Sequence, residues 1–216
     1  ISNNSLKTIF NTIFSNFLTT FDISIQEISL NIVNSSIEVY NTILDELRPT
    51  PAKPHYVFNM RDISKVFQGM LMIDKRRVNT PIQLSRIWVH ENQRVFGDRL
   101  INEIDKTWLI NTLESKFKYY CNTIEWNLLW EQSSTVILTD FMIPGADPKI
   151  YEEVLDINIM QTQVEEYLSE YNGESKQPMY LVMFSDALLH VAKISRILRQ
   201  PSGHALLLGV GGSGRQ

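Results

Sequence analysis

The sequence predicts a mostly α-helical chain that closes with the first helices and the first core strand of an α/β unit. Apolar residues recur at intervals of three and four between Leu6 and Leu47, which is the spacing of one helix face. Near the end, a continuous apolar run within His204–Gly209 is typical of a parallel strand buried on both faces. With 216 residues, 44% of them hydrophobic, the chain can bury a substantial core.

The first two helices form a predicted pair. One apolar stripe runs from Leu6 to Phe21 and a second from Ile25 to Leu47. Both patterns stop before a cluster of prolines, which lack the N–H group that a helix needs. These prolines are Pro49, Pro51 and Pro54.

Three shorter helices follow the prolines. The first is marked by apolar residues from Ile63 to Leu71. Thr80 and Pro81 form an N-cap and first-turn pair that opens the second. Asp105 is the predicted cap of the third, which continues to Tyr120, and no strand is predicted before Trp130.

The pattern changes after Ser133. The β-branched and aromatic run Val136–Phe141 predicts a short strand or an extended segment rather than a helix, closed by Pro144-Gly145. Helices return at Ile159–Tyr171 and Leu181–Arg199. The predicted end of the second of these helices is the turn Pro201-Ser202-Gly203.

Charge and composition exclude several classes of partner. The net charge is -4 and the basic residues are scattered, which argues against a nucleic-acid or anionic-membrane surface. No stretch is long and apolar enough for a membrane helix, and the first 21 residues do not resemble a signal peptide. The single cysteine, Cys121, favours a reducing compartment.

No metal site or self-contained catalytic site is predicted. The histidines are dispersed and Cys121 has no cysteine partner at metal-ligand spacing. Carboxylates near residue 100 are explained by helix capping and the helix dipole. Tryptophans are expected to be packing anchors. The residues considered are His90, His190 and His204, then Asp98, Glu103 and Asp105, then Trp88, Trp108, Trp126 and Trp130.

The glycine-rich end has the spacing of a phosphate-binding loop. Gly209 and Gly214 stand five apart, as in G-x-x-x-x-G-K-[ST], where backbone N–H groups surround a phosphate. Arg215 replaces the usual Lys, and Gln216 stands where a hydroxyl would hold Mg²⁺. The sequence therefore predicts binding of ATP or ADP, and it leaves open whether this loop supports efficient hydrolysis. The candidate cofactor-binding residues are Gly209, Val210, Gly211, Gly212, Ser213, Gly214, Arg215 and Gln216.

Four blocks in order resemble dynein heavy chains, and the loop resembles the axonemal type. They are His55–Gly69, Trp88–Leu100, Tyr180–His190 and Ile194–Gln216. The resemblance implies a segment of a ring of AAA+ modules. Residues 1–130 would be the helical small (lid) subdomain of the third module, residues 131–150 a connector, and residues 151–216 the start of the P-loop subdomain of the fourth. The phosphate loop lacks the helix that should follow it, so we expect the chain to be a piece of a longer protein.

The resemblance also implies site residues. Arg61, in Phe58-Asn-Met-Arg-Asp62, matches the lid arginine called sensor 2, which points at the γ-phosphate. The residue pattern alone favours a surface arginine paired with Asp62 or a neighbouring carboxylate, and it is the resemblance that favours the phosphate-sensing role. Leu181 and Val182 match, less specifically, the segment beside the adenine base, although core packing also explains them.

For the whole protein the resemblance implies an ATP-driven microtubule motor of the ciliary or flagellar axoneme, within the cytoskeleton of the cytoplasm. The implied cofactors are ATP or ADP, with Mg²⁺ in the intact protein. Partners would be the adjacent AAA+ modules, microtubules, and dynein intermediate and light chains. This segment would couple nucleotide states between modules, and alone it is predicted to be inactive.

Two alternatives stay open on the sequence. One is another P-loop AAA+ ATPase in which a helical domain precedes the nucleotide domain. The other is a non-enzymatic helical scaffold that recruits a partner through an apolar stripe containing Phe10, Phe14 and Phe17.

Overall fold

The computed structural model describes residues 2–209 and is predominantly helical, which confirms the predicted fold class. The helices are α1 (Asn3–Leu18), α2 (Ile23–Glu46), α3 (Met60–Met70), α4 (Pro81–Val95), α5 (Glu103–Tyr120), α6 (Ile157–Glu174) and α7 (Ser185–Arg199). Two short strands, β1 (Leu138–Thr139) and β2 (Glu152–Glu153), pair antiparallel. No helix in this described part is long and apolar enough to cross a membrane.

The described residues divide into two compact units, which we call the first unit (2–136) and the second unit (137–209). The division falls between Val136 and Ile137, inside the segment predicted to be a connector. The first unit contains α1 to α5, and the second contains the two strands with α6 and α7.

The predicted helical pair α1 and α2 is confirmed, and α1 packs on the same helical body as α3. The Phe10 ring stacks on Phe67 at a centroid distance of 4.4 Å. The Phe14 ring meets Phe67 edge-on at 5.8 Å. Because Phe10 is 6% exposed and Phe14 is fully buried, two members of the stripe in the scaffold hypothesis already fill the core of the first unit.

Trp88 on α4 forms the centre of the first unit. Its ring is fully buried, and its indole N–H donates to Ser36 Oγ of α2 at 2.9 Å. Phe117 lies 5.8 Å from Trp88, and Trp126 lies 5.6 Å from Phe117. Trp88 and Trp126 are therefore packing anchors, as predicted, whereas Trp108 is only half-buried.

One predicted helix start is confirmed and another is wrong. Thr80 Oγ1 accepts from Gln83 N and Gln83 Oε1 accepts from Thr80 N, a capping box that opens α4. For α5 the cap is Asn102 rather than Asp105, because Asn102 Oδ1 accepts from Asp105 N at 2.7 Å. Asp105 lies within the first turn of α5, where its carboxylate has other partners.

Arg86 on α4 is a buried arginine, 1% exposed, whose side chain shapes a loop. Its guanidinium donates to the carbonyl oxygens of Leu129, Ser133 and Thr135. A cation–π contact with Trp130 adds to these hydrogen bonds. The chain following the 3₁₀ turn Trp126–Trp130 is thereby fastened to α4.

The second unit is built on a small core between its sheet and its helices. Of the strand predicted at Val136–Phe141, only Leu138–Thr139 pairs as a strand. The helix predicted from Leu181 begins at Ser185, and the four residues before it are extended or irregular. The buried residues that share this core are Phe141, Val154, Met160, Val164, Leu188 and Ala192.

The buried strand predicted at His204–Gly209 is not formed. Residues 203–209 have no regular secondary structure, and Leu206 and Leu208 are each 83% exposed. A parallel strand exists only when neighbouring strands accept and donate its hydrogen bonds. Among residues 2–209 no strand pairs with this segment, so Leu206 and Leu208 stay largely exposed.

Candidate functional site

The first candidate surface is the start of α3, which carries Arg61. Asn59 caps the helix, and its Oδ1 accepts from Arg61 N at 2.9 Å. The Asp62 carboxylate in turn accepts from Asn59 N at 2.9 Å, which completes a capping box. The backbone on both sides of Arg61 is thus held by hydrogen bonds.

The Arg61 side chain is exposed and is not paired with its sequence neighbour. Asp62 is 1% exposed and binds Arg99, with Lys65 Nζ 4.0 Å from its Oδ1. Within residues 2–209 the Arg61 guanidinium makes no ion pair. The alternative in which Arg61 pairs with Asp62 is therefore not what the structure shows, and Arg61 can reach an external anion.

Arg99 was not identified as a functional residue from the sequence. It belongs to the 3₁₀ turn Gly97–Arg99 between α4 and α5. Its guanidinium binds both oxygens of Asp62, donates to the Val57 carbonyl at 3.3 Å, and lies 5.5 Å from the Phe58 ring centroid. The only sequence signal was the arginine in the Gly97-Asp-Arg block, 37 residues after Asp62.

The second candidate surface is the segment that leads to the glycine loop. At the end of α7 the chain turns through Ser202, whose φ of 56° is left-handed, and Gly203. A Cβ on Gly203 would lie 1.9 Å from the Ile197 carbonyl oxygen, so only glycine fits there. Arg199 and Ser195 bind Asp140, a carboxylate that is 4% exposed, and so fasten the last turn of α7 to the sheet region.

The predicted cofactor-binding loop can be described only at its first residue. Gly209 is exposed and lies in the irregular stretch after α7. The other predicted residues, Val210, Gly211, Gly212, Ser213, Gly214, Arg215 and Gln216, lie outside the described residues.

Leu181 and Val182 are exposed in the extended segment before α7, at 53% and 83%. Neither is a core residue of the second unit, so core packing does not explain these two side chains. Asn172 holds the start of this segment, because its amide donates to the Met179 carbonyl at 2.7 Å and accepts from Met179 N at 2.8 Å. Asn172 lies inside α6, although the sequence predicts that this helix ends at Tyr171.

The candidate residues fall in different units, Arg61 in the first and Leu181, Val182 and Gly209 in the second.

The part of the chain that the structure describes contains no group of three His, Cys, Asp or Glu residues that could hold a metal ion. Burial raises the pKa of the Cys121 thiol to about 11, which outweighs a hydrogen bond with Ser35. Cys121 is therefore a protonated core residue at neutral pH.

Comparison with known proteins matches each unit to a family. Residues 32–132 match the family described as AAA+ lid domain. Residues 179–216 match the family described as P-loop containing dynein motor region D4. The lid match contains α3 and Arg61, and the motor-region match contains Leu181, Val182 and the glycine loop.

Individual relatives agree with both family matches. The chain is 45% identical to mouse dynein axonemal heavy chain 1 over 89% of this chain and 4% of that protein. It is 41% identical to human dynein axonemal heavy chain 6 over 100% of this chain and 5% of that protein. The chain is homologous to axonemal dynein heavy chains.

A third dynein relative is a flagellar heavy chain. The dynein-1-beta heavy chain of the flagellar inner arm I1 complex of Chlamydomonas reinhardtii is 39% identical over 100% of this chain and 5% of its own length. The chain thus spans about one twentieth of the dynein heavy chains that it matches.

Proposed function

We propose that this chain is part of the ATP-driven motor ring of an axonemal dynein heavy chain and couples nucleotide states between neighbouring AAA+ modules. The observation that supports this most is the order of the two matches, a lid domain at 32–132 followed by motor region D4 at 179–216. On this proposal residues 1–130 are the lid of the third module and residues 131–150 the connector. Residues 151–216 open the fourth module.

In the proposed mechanism Arg61 reports the γ-phosphate of the nucleotide in the third module. Its guanidinium stays charged and can donate two parallel hydrogen bonds to phosphate oxygens. The structure fits this role, because the side chain is exposed in the first turn of α3 while its backbone is fixed by Asn59. Loss of the γ-phosphate removes that contact, so the preferred position of the lid changes with nucleotide state.

The glycine loop from Gly209 to Gln216 is proposed to hold ATP or ADP in the fourth module. The phosphate oxygens of a nucleotide bound there would accept hydrogen bonds from backbone N–H groups of the loop. Arg215 keeps a positive charge where lysine is usual, while Gln216 offers no hydroxyl for Mg²⁺. We therefore propose nucleotide binding without efficient hydrolysis at this loop.

For the intact protein we propose movement along microtubules in the ciliary or flagellar axoneme. The proposed partners are the adjacent AAA+ modules of the same chain, microtubules, and dynein intermediate and light chains. The names of the relatives, which include a flagellar inner arm heavy chain, support the axoneme as the location.

The experiment uses the full motor ring that carries this segment. Arg215 of the fourth module and the phosphate-loop lysines of the other modules, except the third, are replaced so that only the third-module site is observed. Fluorescent mant-ATP and mant-ADP are titrated into the wild type and Arg61→Ala. We expect Arg61→Ala to weaken mant-ATP binding by about tenfold or more, since a hydrogen bond to a charged group contributes about 1.5 to 3 kcal/mol. Binding of mant-ADP should change little.

The matched control is Arg48→Ala, which removes another exposed arginine, located just beyond the end of α2. It should leave both affinities unchanged. If Arg61→Ala also leaves the preference for ATP over ADP unchanged, Arg61 does not sense the nucleotide and the proposed coupling role is refuted.

A further inference from the structure

We infer that Asp62 and Arg99 are positioning residues for Arg61, and that together they link the nucleotide-sensing turn of α3 to the corner between α4 and α5. This inference rests on the proposed role of Arg61. Asp62 follows Arg61 directly in the chain, and Arg99 belongs to the 3₁₀ turn Gly97–Arg99.

Asp62 joins three groups at the start of α3. Its carboxylate accepts from Asn59 N at 2.9 Å and from Arg99 Nη1 at 3.1 Å, and it also binds Arg99 Nη2. The residue is 1% exposed, so these contacts are shielded from water. Any rotation of the first turn of α3 would break hydrogen bonds to a buried carboxylate, which is costly.

Arg99 fixes the approach to the helix as well as its first turn. The guanidinium donates to the Val57 carbonyl at 3.3 Å and lies over the Phe58 ring. Both residues belong to the segment that leads into α3. The Arg99 carbonyl oxygen is hydrogen-bonded to His55 Nε2 at 3.0 Å. One residue therefore holds the chain before the cap and, through Asp62, the turn that carries Arg61.

Only an arginine can make this set of contacts. Two nitrogens of the fork bind the two oxygens of Asp62, and one of them also reaches Val57. Lys65 is a second cation near Asp62, but its Nζ is 4.0 Å away and its side chain is 54% exposed. An ammonium is a point charge without a fixed fork, so Lys65 cannot replace the orientation that Arg99 provides.

The consequence is a mechanical link between Arg61 and the α4–α5 corner. When Arg61 gains or loses a phosphate contact, the force on its turn passes to Asp62 and then to Arg99. The contacts described here form a continuous path of hydrogen bonds, and the double-mutant cycle below measures whether it carries coupling.

The test uses the same motor ring and the same mant-nucleotides. The variants are Arg99→Gln, Arg99→Lys and Asp62→Asn, each with Arg61 present and with Arg61→Ala. We expect Arg99→Gln and Asp62→Asn to lower the preference for mant-ATP over mant-ADP by about fivefold, a coupling of the size found between residues in contact. In the Arg61→Ala background the same changes should have no further effect on that preference.

Arg99→Lys distinguishes orientation from charge. It keeps the positive charge and is expected to fold even if Arg99→Gln does not, yet it should lose most of the preference for ATP. The matched control is Arg76→Gln, which removes a bidentate arginine–carboxylate pair with Asp74 in the loop between α3 and α4. It should leave the preference unchanged.

The outcomes separate this inference from the proposed function. No effect of Arg61→Ala refutes the sensing role itself. An effect of Arg61→Ala without any effect of Arg99→Lys or Asp62→Asn refutes the positioning role. Effects of equal size with and without Arg61 show that Arg99 and Asp62 act on folding alone, which also overturns the inference.

Discussion

Asp105 connects three parts of the first unit through one carboxylate. It accepts from Tyr56 Oη at 2.7 Å and from Lys53 Nζ, and it lies in the first turn of α5. Tyr56 Oη in turn accepts from Ile101 N at 3.2 Å. Burial alone would raise the pKa of Asp105, but the hydrogen bonds from Lys53 and Tyr56 outweigh it, so the pKa is lowered.

A lowered carboxyl pKa makes the contribution of Asp105 to stability dependent on pH. The contribution is present above the unfolded pKa of about 4 and is lost as the pH falls through the lower folded pKa. We expect Asp105→Asn to reduce the free energy of unfolding by about 1 to 3 kcal/mol at neutral pH. Urea unfolding midpoints of the 216-residue chain across the acid range measure this difference, which should shrink below about pH 4.

Asp22→Asn is the control, because the Asp22 side chain makes no capping hydrogen bond at the start of α2. Its effect should be small at every pH. A difference between wild type and Asp105→Asn that persists unchanged in strong acid would contradict the assigned role of the carboxylate.

At the scale of elements, α1 is bound to α3 by aromatic stacking. Phe10→Ala removes the ring that stacks on Phe67 and leaves a cavity under α1. We expect a loss of about 3 to 5 kcal/mol in the free energy of unfolding, measured by denaturant titration. Ile9→Ala, at a neighbouring position that is 46% exposed, should cost far less. Equal costs would show that α1 does not depend on this stack.

The turn after α7 depends on a missing Cβ. We expect Gly203→Ala to lower the melting temperature, because the new Cβ would lie 1.9 Å from the Ile197 carbonyl oxygen and the turn would have to open. Gly173→Ala is the matched control, since nothing lies within 4 Å of a Cβ there and Gly173 is in α6. Alanine in a helix is favoured over glycine by about 0.5 to 1 kcal/mol, so the control should be neutral or stabilising.

A helix start could be predicted from the sequence when the residues that determine it lie close together in the chain. The start of α4 was predicted from the adjacent Thr80 and Pro81, and its capping box is completed by Gln83 only three residues after Thr80. The start of α5 was misplaced because Asn102 and Asp105 are both capping residue types, and only the contacts of Asp105 with Lys53 and Tyr56 distinguish them.

Contacts between distant residues explain what the sequence could not show at the candidate site. Arg61 was proposed from its place in a motif, whereas the partner of Asp62 is 37 residues away. The spacing of residues gave no reason to choose Arg99 over Arg61 or Lys65. The strand predicted at His204–Gly209 failed for the same reason, since a parallel strand is defined by neighbours that its own residues do not specify.

At the scale of the whole molecule, the 216-residue chain is predicted not to hydrolyse ATP. Hydrolysis needs an acidic residue that holds Mg²⁺ and a residue that orients water, in addition to a phosphate loop. The chain that we describe supplies Arg61 and the segment leading to the loop, but in separate units. We expect phosphate release at the rate of buffer alone, and turnover that disappears in Arg61→Ala would refute the assignment.

The hydrogen bonds from Arg86 to the backbone of residues 129–135 have a consequence for how this region can evolve. The guanidinium holds the backbone carbonyls of Leu129, Ser133 and Thr135, and every amino acid offers the same carbonyl. Side chains in that loop can therefore drift without changing its path, while Arg86 itself has no equivalent replacement. Homologous chains should therefore keep the backbone path of this loop while its side chains vary.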